Sequence, residues 1–457
     1  MELADLPDDV LLSEIIVRLP PSSISALSQT CKLFNSICKD HNLWREKCRA
    51  DYNLPPSLYG RFEWSTLYRL LNDPVVLTWG ENDGRLMQTG DKSFGSNIEE
   101  PKVVEGLRGK KIVQLSGSGW GFHALSSDGK VYAWGRLKDH AQNILQAEVV
   151  PLNHTFTSIS CGRSHALALT DRGQVYWWND IHKPRLIMEG DIVSAVSGWT
   201  SGVILLRDGS VRYYSDLTRQ PAEHPNINES LHSLCLSTGT TTTDDDRFVQ
   251  VAAGEGLGLA LSSSGQLWDL IGRKRLTKFE NANAEHPLTH LTASFQKFAV
   301  YNEAGDVLIG SSRDITEPQV IKGLQKEGVV QVSFGDWHSG ALNDQGQVLA
   351  WGGWQNGARG FKLNGKKDNV EEPHPVEGDL KGMFAFQISF AGWHSAALAV
   401  PMSIDAFEEM IKKRKLDVRD EEEPEQERPR RNLRRGPFLP GRRGRSMGLP
   451  VQPPNKI

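Results

Sequence analysis

Nowhere in the 457 residues does an unbroken run of eighteen apolar residues occur, so a helical membrane span is not expected. The first residues are acidic and lack the charged, apolar and small-residue zones of a secretory leader, so none is expected. Cysteine is scarce. The five, Cys31, Cys38, Cys48, Cys161 and Cys235, show no C-x-x-C spacing, which argues against a zinc site or a disulfide framework. Reduced thiols of an intracellular protein, cytoplasmic or nuclear, are expected. Basic charge is missing from most of the chain. Residues 411–457 hold 14 Lys/Arg against 7 Asp/Glu, and the other 410 carry a net −11. Gripping phosphate requires Lys and Arg, so the body is not expected to bind nucleic acid; only the basic tail has the charge for it.

What is present is a repeat. The segments "SGSGWGFHALSSDGKVYAWG" (116–135), "SCGRSHALALTDRGQVYWWN" (160–179) and "VSGWTSGVILLRDGSVRYYS" (196–215) align. So do "AAGEGLGLALSSSGQLWDLI" (252–271), "TASFQKFAVYNEAGDVLIGS" (292–311) and "SFGDWHSGALNDQGQVLAWG" (333–352). Gly129, Gly173, Gly209, Gly265, Gly305 and Gly346 share one phase, at spacings of 44, 36, 56, 40 and 41 residues. Each unit reads as an alternating strand, a glycine bend, a small-apolar strand, a polar hairpin turn closed by glycine, and a strand such as "KVYAWG". About forty residues per unit of short antiparallel strands marks a propeller blade.

The last unit, "QISFAGWHSAALAV" (387–400), lacks its "VYxWG" strand, while "VVLTWG" (75–80) stands alone before the first complete unit. The N-terminal strand is expected to complete the last blade, giving seven blades and no open edge. The W-G strand ends, the G-x-x-H-(S/A)-x-A-L core and the hairpin glycine resemble the regulator of chromosome condensation repeat. That resemblance spans about 75–401 and implies a seven-bladed propeller with split-blade closure. It is strong at Gly162/His165, Gly335/His338 and His394. It weakens where the histidine position holds Ser201, Leu257 and Lys297.

Ahead of the repeats, "LPDDVLLSEIIVRLPPSSISAL" reads as a helix over 8–19, a stop at Pro20–Pro21, and a second helix over about 23–38, capped by Ser22 or Ser23. A third is expected around 41–50. These helices carry more apolar surface than they can bury among themselves, so something else must cover it. Residues 6–44 resemble the F-box. The match includes Leu6-Pro7, Val10-Leu11, Ile15, Leu19-Pro20, the Ser-Ile-x-x-Leu at 23–27, Cys31-Lys32, Asp40 and Leu43-Trp44, with Phe34 in place of a common tryptophan. The resemblance implies docking on the Skp adaptor and, through it, a cullin-RING scaffold. It places Leu6, Pro7, Val10, Leu11, Ile15, Leu19 and Pro20 against the adaptor.

The expected order is therefore an all-α F-box (1–50), a helical spacer (51–74) with Trp64, Leu67, Tyr68 and Leu71 on one face, and a propeller (75–401). A charged, largely disordered tail (402–457) follows, with "KKRK" (412–415) as a candidate nuclear import signal. The stretch 218–247 reads as a tolerated loop insertion. The fold class is mainly β. The architecture resembles the fungal SCF-associated F-box proteins, which implies a non-catalytic substrate receptor of a ubiquitin ligase whose protein target the sequence does not name. The alternative is a propeller acting as a guanine-nucleotide exchange factor for a small GTPase, or as a chromatin binder.

No catalytic motif, cofactor cradle or metal ring is expected. "GSGWG" (117–121) and "GEGLG" (254–258) are not followed by helices and occupy the blade-bend phase. His165, His338 and His394 belong to separate blades, so a per-blade structural hydrogen bond is expected in place of a metal site.

Overall fold

The hairpin glycines named above all adopt positive φ, between 72° and 86°. Side-chain-bearing residues avoid this conformation, so a two-strand turn is built into every repeat. The computed structural model of the chain describes residues 6–7, 10–52, 63–87, 97–138, 143–218, 231–232, 246–282, 285–353, 356–361 and 369–402. The expectations for the tail beyond Met402, for most of the 218–247 insertion and for Cys235 lie outside these residues.

Seven four-stranded antiparallel sheets are present among the described residues. Blades 1 to 6 each run outward in chain order. Their inner strands are Ile112–Gly117, Phe156–Cys161, Ile192–Ser197, Phe248–Gly254, His290–Ser294 and Val329–Phe334. Blade 7 is assembled from both ends of the array. Met383–Ala391 and His394–Pro401 form its inner half, and Val75–Gly80 and Ile98–Val103 its outer half. Val75 pairs with Ala399 and the register holds through Gly80 opposite His394. The N-terminal segment thus contributes two strands to the closure, not only the one expected. "IEEPKV" escaped notice because a proline and mostly polar residues hide an outer strand, as edge positions permit.

Neighbouring blades are joined by a hydrogen-bond ladder between inner strands. Gln114 Oε1 accepts from the Ile159 amide at 3.0 Å, and Ser116 Oγ from the Cys161 amide at 2.8 Å. Gln331 and Ser333 join blade 6 to blade 7 in the same way, at 2.9 and 2.8 Å. Gln387 and Ser389 join blade 7 back to blade 1, at 2.7 and 2.8 Å. This Gln-x-Ser pattern satisfies inner-strand amides that point at the next blade, where they would otherwise be left without a partner. Between the blades the core is apolar, as where Leu167, Trp177, Ile204 and Tyr214 pack together.

The N-terminal helices depart from the expected boundaries. The single helix over 8–19 is instead a wide turn at Leu11–Ile15 that tightens into a 3₁₀ turn at Ile16–Arg18. The second helix divides into α1 (Pro21–Leu27) and α2 (Lys32–Ile37). The break has a local cause. Ser28 and Thr30 turn their hydroxyls back onto the carbonyls of Ser25 and Leu27, and Cys31 is extended at φ −155°. The cap of α1 is Pro20, with Pro21 at the first helical position, not Ser22 or Ser23. Next come α3 (His41–Tyr52) and α4 (Trp64–Leu71). All four spacer residues expected on one face, Trp64, Leu67, Tyr68 and Leu71, are buried. Helix α4 touches the second strand of blade 7, so the helical module joins the propeller at the blade that closes it.

Trp79 sits at that closure. Its indole is fully buried, donates to the Ala358 carbonyl at 2.9 Å and meets Phe390 edge-on at 5.8 Å. Replacing it by alanine is expected to destabilise the propeller by about 3–5 kcal/mol. Urea denaturation of the purified chain checks this, and a loss below about 1 kcal/mol would contradict a closure that depends on this strand.

Candidate functional site

The residues expected to face an adaptor divide in two. Leu11 is 0% exposed and packs with Ile16, Ile24, Phe34, Ile37 and Leu43 in the module's own core. It is therefore a packing residue, and its place on the adaptor-facing set is corrected. Pro7, Val10 and Pro20 are exposed, and Leu6, Ile15 and Leu19 lie half-buried against the same core. Leu33, not singled out from the sequence, adds an exposed apolar side chain on α2. An aliphatic repeat marks which residues are apolar but not which of two apolar faces points out, and this one was misjudged.

Behind that face the module is braced by polar contacts. Lys47 on α3 is 3% exposed; its ammonium donates to the Val17 carbonyl at 3.1 Å and pairs with Asp51 at 2.9 Å. Asp51 accepts from the Tyr68 hydroxyl of α4 at 2.5 Å. The first turn, α3 and α4 are thus held by one chain of charge-assisted bonds.

In the propeller, the repeated histidines are interior groups. For His165 and His338, the glycine three residues earlier makes room for the ring. A Cβ on Gly162 would stand 2.3 Å from His165, and one on Gly335 would stand 2.2 Å from His338. His338 Nε2 lies 2.8 Å from Ser395 Oγ, and His394 Nε2 3.3 Å from the Gly121 carbonyl. These contacts reach neighbouring blades. Burial lowers His165 to about 4 and His338 to about 3, and holds His394 well below the usual imidazole value. No group of His, Cys, Asp and Glu among the described residues is arranged to hold a metal.

His123 and Cys161 form a contact that the sequence did not suggest. Trp178 donates its indole N–H to His123 Nε2 at 3.1 Å, so the imidazole proton resides on Nδ1, 3.2 Å from Cys161 Sγ. A thiolate nucleophile needs the reverse charge state. Burial instead pushes the Cys161 thiol up to about 12 and His123 down to about 3, so the pair is neutral.

One end of the propeller carries a more exposed constellation. Each blade turns from its first to its second strand there. The residue just after the bend is Gly119, Arg163, Trp199, Glu255, Phe295, Asp336 or Gly392, from blades 1 to 7 in order. The bends are linked by backbone bonds, such as the Gly119 amide to the Arg163 carbonyl at 2.9 Å and the Arg163 amide to the Trp199 carbonyl at 3.0 Å. The Arg163 guanidinium lies between two indoles, 4.8 Å from Trp120 and 4.5 Å from Trp199. Trp199 in turn meets Phe295 at 4.4 Å. Arg85 is buried below and held by Glu81 at 2.9 Å and Asp83 at 2.6 Å. Asp336 faces the same cleft. Burial raises its carboxyl to about 6, although Arg163 and Arg85 both pull it down.

With this geometry described, comparison with known proteins adds the following. The F-box-like family matches residues 3–50, and the Regulator of chromosome condensation (RCC1) repeat matches residues 156–178 and 329–358. The latter fall in blades 2 and 6, where the glycine–histidine pairs are intact. The human E3 ubiquitin-protein ligase HERC2 is 27% identical over 337 residues, covering 71% of this chain. The chain spans only 5% of that relative's length. The F-box protein pof9 of Schizosaccharomyces pombe is 22% identical over 445 residues, covering 88% of this chain and 90% of its own. Among solved structures, human WBSCR16 superposes with a TM-score of 0.55 at 19% identity, covering 72% of this chain and 99% of that one, which shows a shared fold.

The buried imidazoles set a pH dependence. Their folded-state values lie below the value of about 6.5 in an unfolded chain, so the unfolded state takes up protons first as pH falls. Their stabilising effect is complete above pH 6.5 and is lost on acidification toward 3–4, at about 1.4 kcal/mol per pH unit for each histidine. Denaturation midpoints measured at pH 7, 6 and 5 are expected to fall steadily, and the fall is expected to be shallower in His338→Gln. A flat profile over this range would show that these rings are not held neutral.

Proposed function

From an F-box-like domain joined to a seven-bladed propeller of RCC1 repeats, we propose that this chain is the substrate-recognition subunit of an SCF-type cullin-RING ubiquitin ligase. The F-box docks on the Skp adaptor, and the adaptor joins the chain to the cullin scaffold. The propeller holds a protein target, which is ubiquitinated and then degraded. The chain itself contributes binding and not catalysis, and it works in the cytoplasm, the nucleus or both.

The observation that supports this reading most is the character of the helical module. It has its own core and still presents Val10, Pro20 and Leu33 to solvent, while Ile15 and Leu19 are only half-buried. Exposed apolar side chains on a folded module are the form an interface takes before its partner arrives. The match to the F-box-like family over residues 3–50 indicates which partner.

Val10→Asp combined with Pro20→Asp tests the docking. Both positions are exposed, and aspartate is a good helix cap at position 20, so the module stays folded. Adaptor affinity, measured by calorimetry with the full chain, is expected to fall about 30- to 1000-fold, the size of a disrupted hot spot of about 2–4 kcal/mol. Leu11→Asp instead places a charge in the core and is expected to lower the melting temperature. Unchanged adaptor affinity in the double variant would contradict the docking face. A wild-type chain that takes no adaptor but speeds nucleotide release from a small GTPase would favour the exchange-factor reading.

A further inference from the structure

The end of the propeller where the bends converge has an uneven rim. Blades 7 and 1 are neighbours, and both place glycine, Gly392 and Gly119, in the ring of post-bend residues. A Cβ on Gly392 would lie 2.3 Å from the Gly119 carbonyl oxygen, so no side chain fits there. The result is a notch. Trp120 and Trp393 line it from those same two blades, Arg163 borders it from blade 2 and Asp336 from blade 6. Trp393 is 38% exposed, and Trp337, next to Asp336 in the chain, is 57% exposed. Two large indoles this open on one rim are unusual for a surface without a binding role.

The hydrogen-bonding capacity left in the notch decides what it takes. Arg85 is engaged by Glu81 and Asp83, with its Nη1 against His394 Nδ1 at 3.4 Å. The Arg163 guanidinium is stacked at 4.8 Å on Trp120 and 4.5 Å on Trp199, which holds it at the border of the notch. Asp336 Oδ1 is buried and has no hydrogen-bond partner, and such orphaned acceptors in folded proteins call for a donor. The charge balance has the same sign. In the notch and directly behind it, the carboxylates Glu81, Asp83, Glu255 and Asp336 outnumber the guanidiniums of Arg85, Arg136 and Arg163 by one. Burial raises the Asp336 carboxyl to about 6 and Glu255 adds to the rise, although Arg163 and Arg85 pull it down. Indole faces beside it add attraction for a cation, and Arg163 shows that this rim can stack one between tryptophans.

We propose that this notch is the target-binding site of the propeller, and that it takes an arginine or lysine side chain of an exposed target segment, with the cation against Asp336 and its stem between Trp120 and Trp393. The word target rests on the receptor reading above; the recognition chemistry does not. An acidic segment is disfavoured because it would bring further negative charge beside Asp336 and Glu255.

The test is selection of a random dodecamer peptide display library on the immobilised full-length chain, followed by calorimetry of the enriched peptides. The expected peptides share a basic residue whose replacement by leucine weakens binding at least tenfold. Asp336→Asn and Trp393→Ala are each expected to weaken it by a similar factor and to leave adaptor affinity unchanged. Trp337→Ala, at an exposed position where folding is insensitive, is the second variant should Asp336→Asn fail to fold, and a loss of at least threefold is expected. No enriched peptide, peptides that depend on an acidic residue, or equal binding by the variants would overturn the site. Loss of selection with adaptor binding intact would refute the notch and leave the receptor reading standing. Basic-peptide binding in a chain that takes no adaptor would do the opposite.

Discussion

The pairing of Val75–Gly80 with His394–Pro401 is the constraint on which the rest of the molecule depends. Six blades are contiguous in sequence, and their order of strands needs only local turns. The seventh exists only when segments more than three hundred residues apart meet in register. Without that pairing, the second strand of blade 7 would present an unpaired edge, and the Gln387 and Ser389 bonds to blade 1 would anchor an incomplete sheet. Closing so long a loop is entropically costly but only weakly length-dependent, and the buried Trp79 and the apolar faces of the meeting strands offset it.

The same closure decides where the helical module sits. Because the third strand of blade 7 follows α4 after a few residues, the module is attached at the seam. Asp73 receives the Gly109 amide at 3.0 Å, and α4 is tied to α3 through Asp51 and Tyr68. In the receptor reading, this fixes the distance between an adaptor on the helices and a target on the propeller, which a glycine-rich linker would not do. A target held at a set distance presents a restricted set of its lysines for modification.

Much of the fold was legible in the sequence, and the reasons are physical. Hairpin glycines repeat because only glycine tolerates their φ, so they count the blades. The orphan "VVLTWG" and the truncated last unit announce the split blade because a missing strand leaves a visible gap. The helical module was less legible. Leu11 and Ile15 look alike in a helical pattern, yet Leu11 is fully buried and Ile15 only half-buried against the same core. The break at Ser28–Cys31 depends on back-bonding hydroxyls, which leave no periodic trace. The inter-blade ladder had a signal that could have been read, the Gln-x-Ser spacing at 114, 331 and 387. The rim was hidden for another reason. Its residues vary from blade to blade, so alignment suggests degeneracy, whereas in space Arg163, Trp199 and Asp336 converge on one cleft.

The measurement that tests the central claim most directly is a proteome-wide comparison of protein half-lives in cells that express either the full-length chain or its Val10→Asp, Pro20→Asp form. The account predicts one or a few proteins that bind both forms equally and live longer only with the variant, because it holds them without delivering them to the ligase. If no protein changes its half-life, or if the changed proteins bind neither form, the chain does not couple a target to a ligase and the account is wrong.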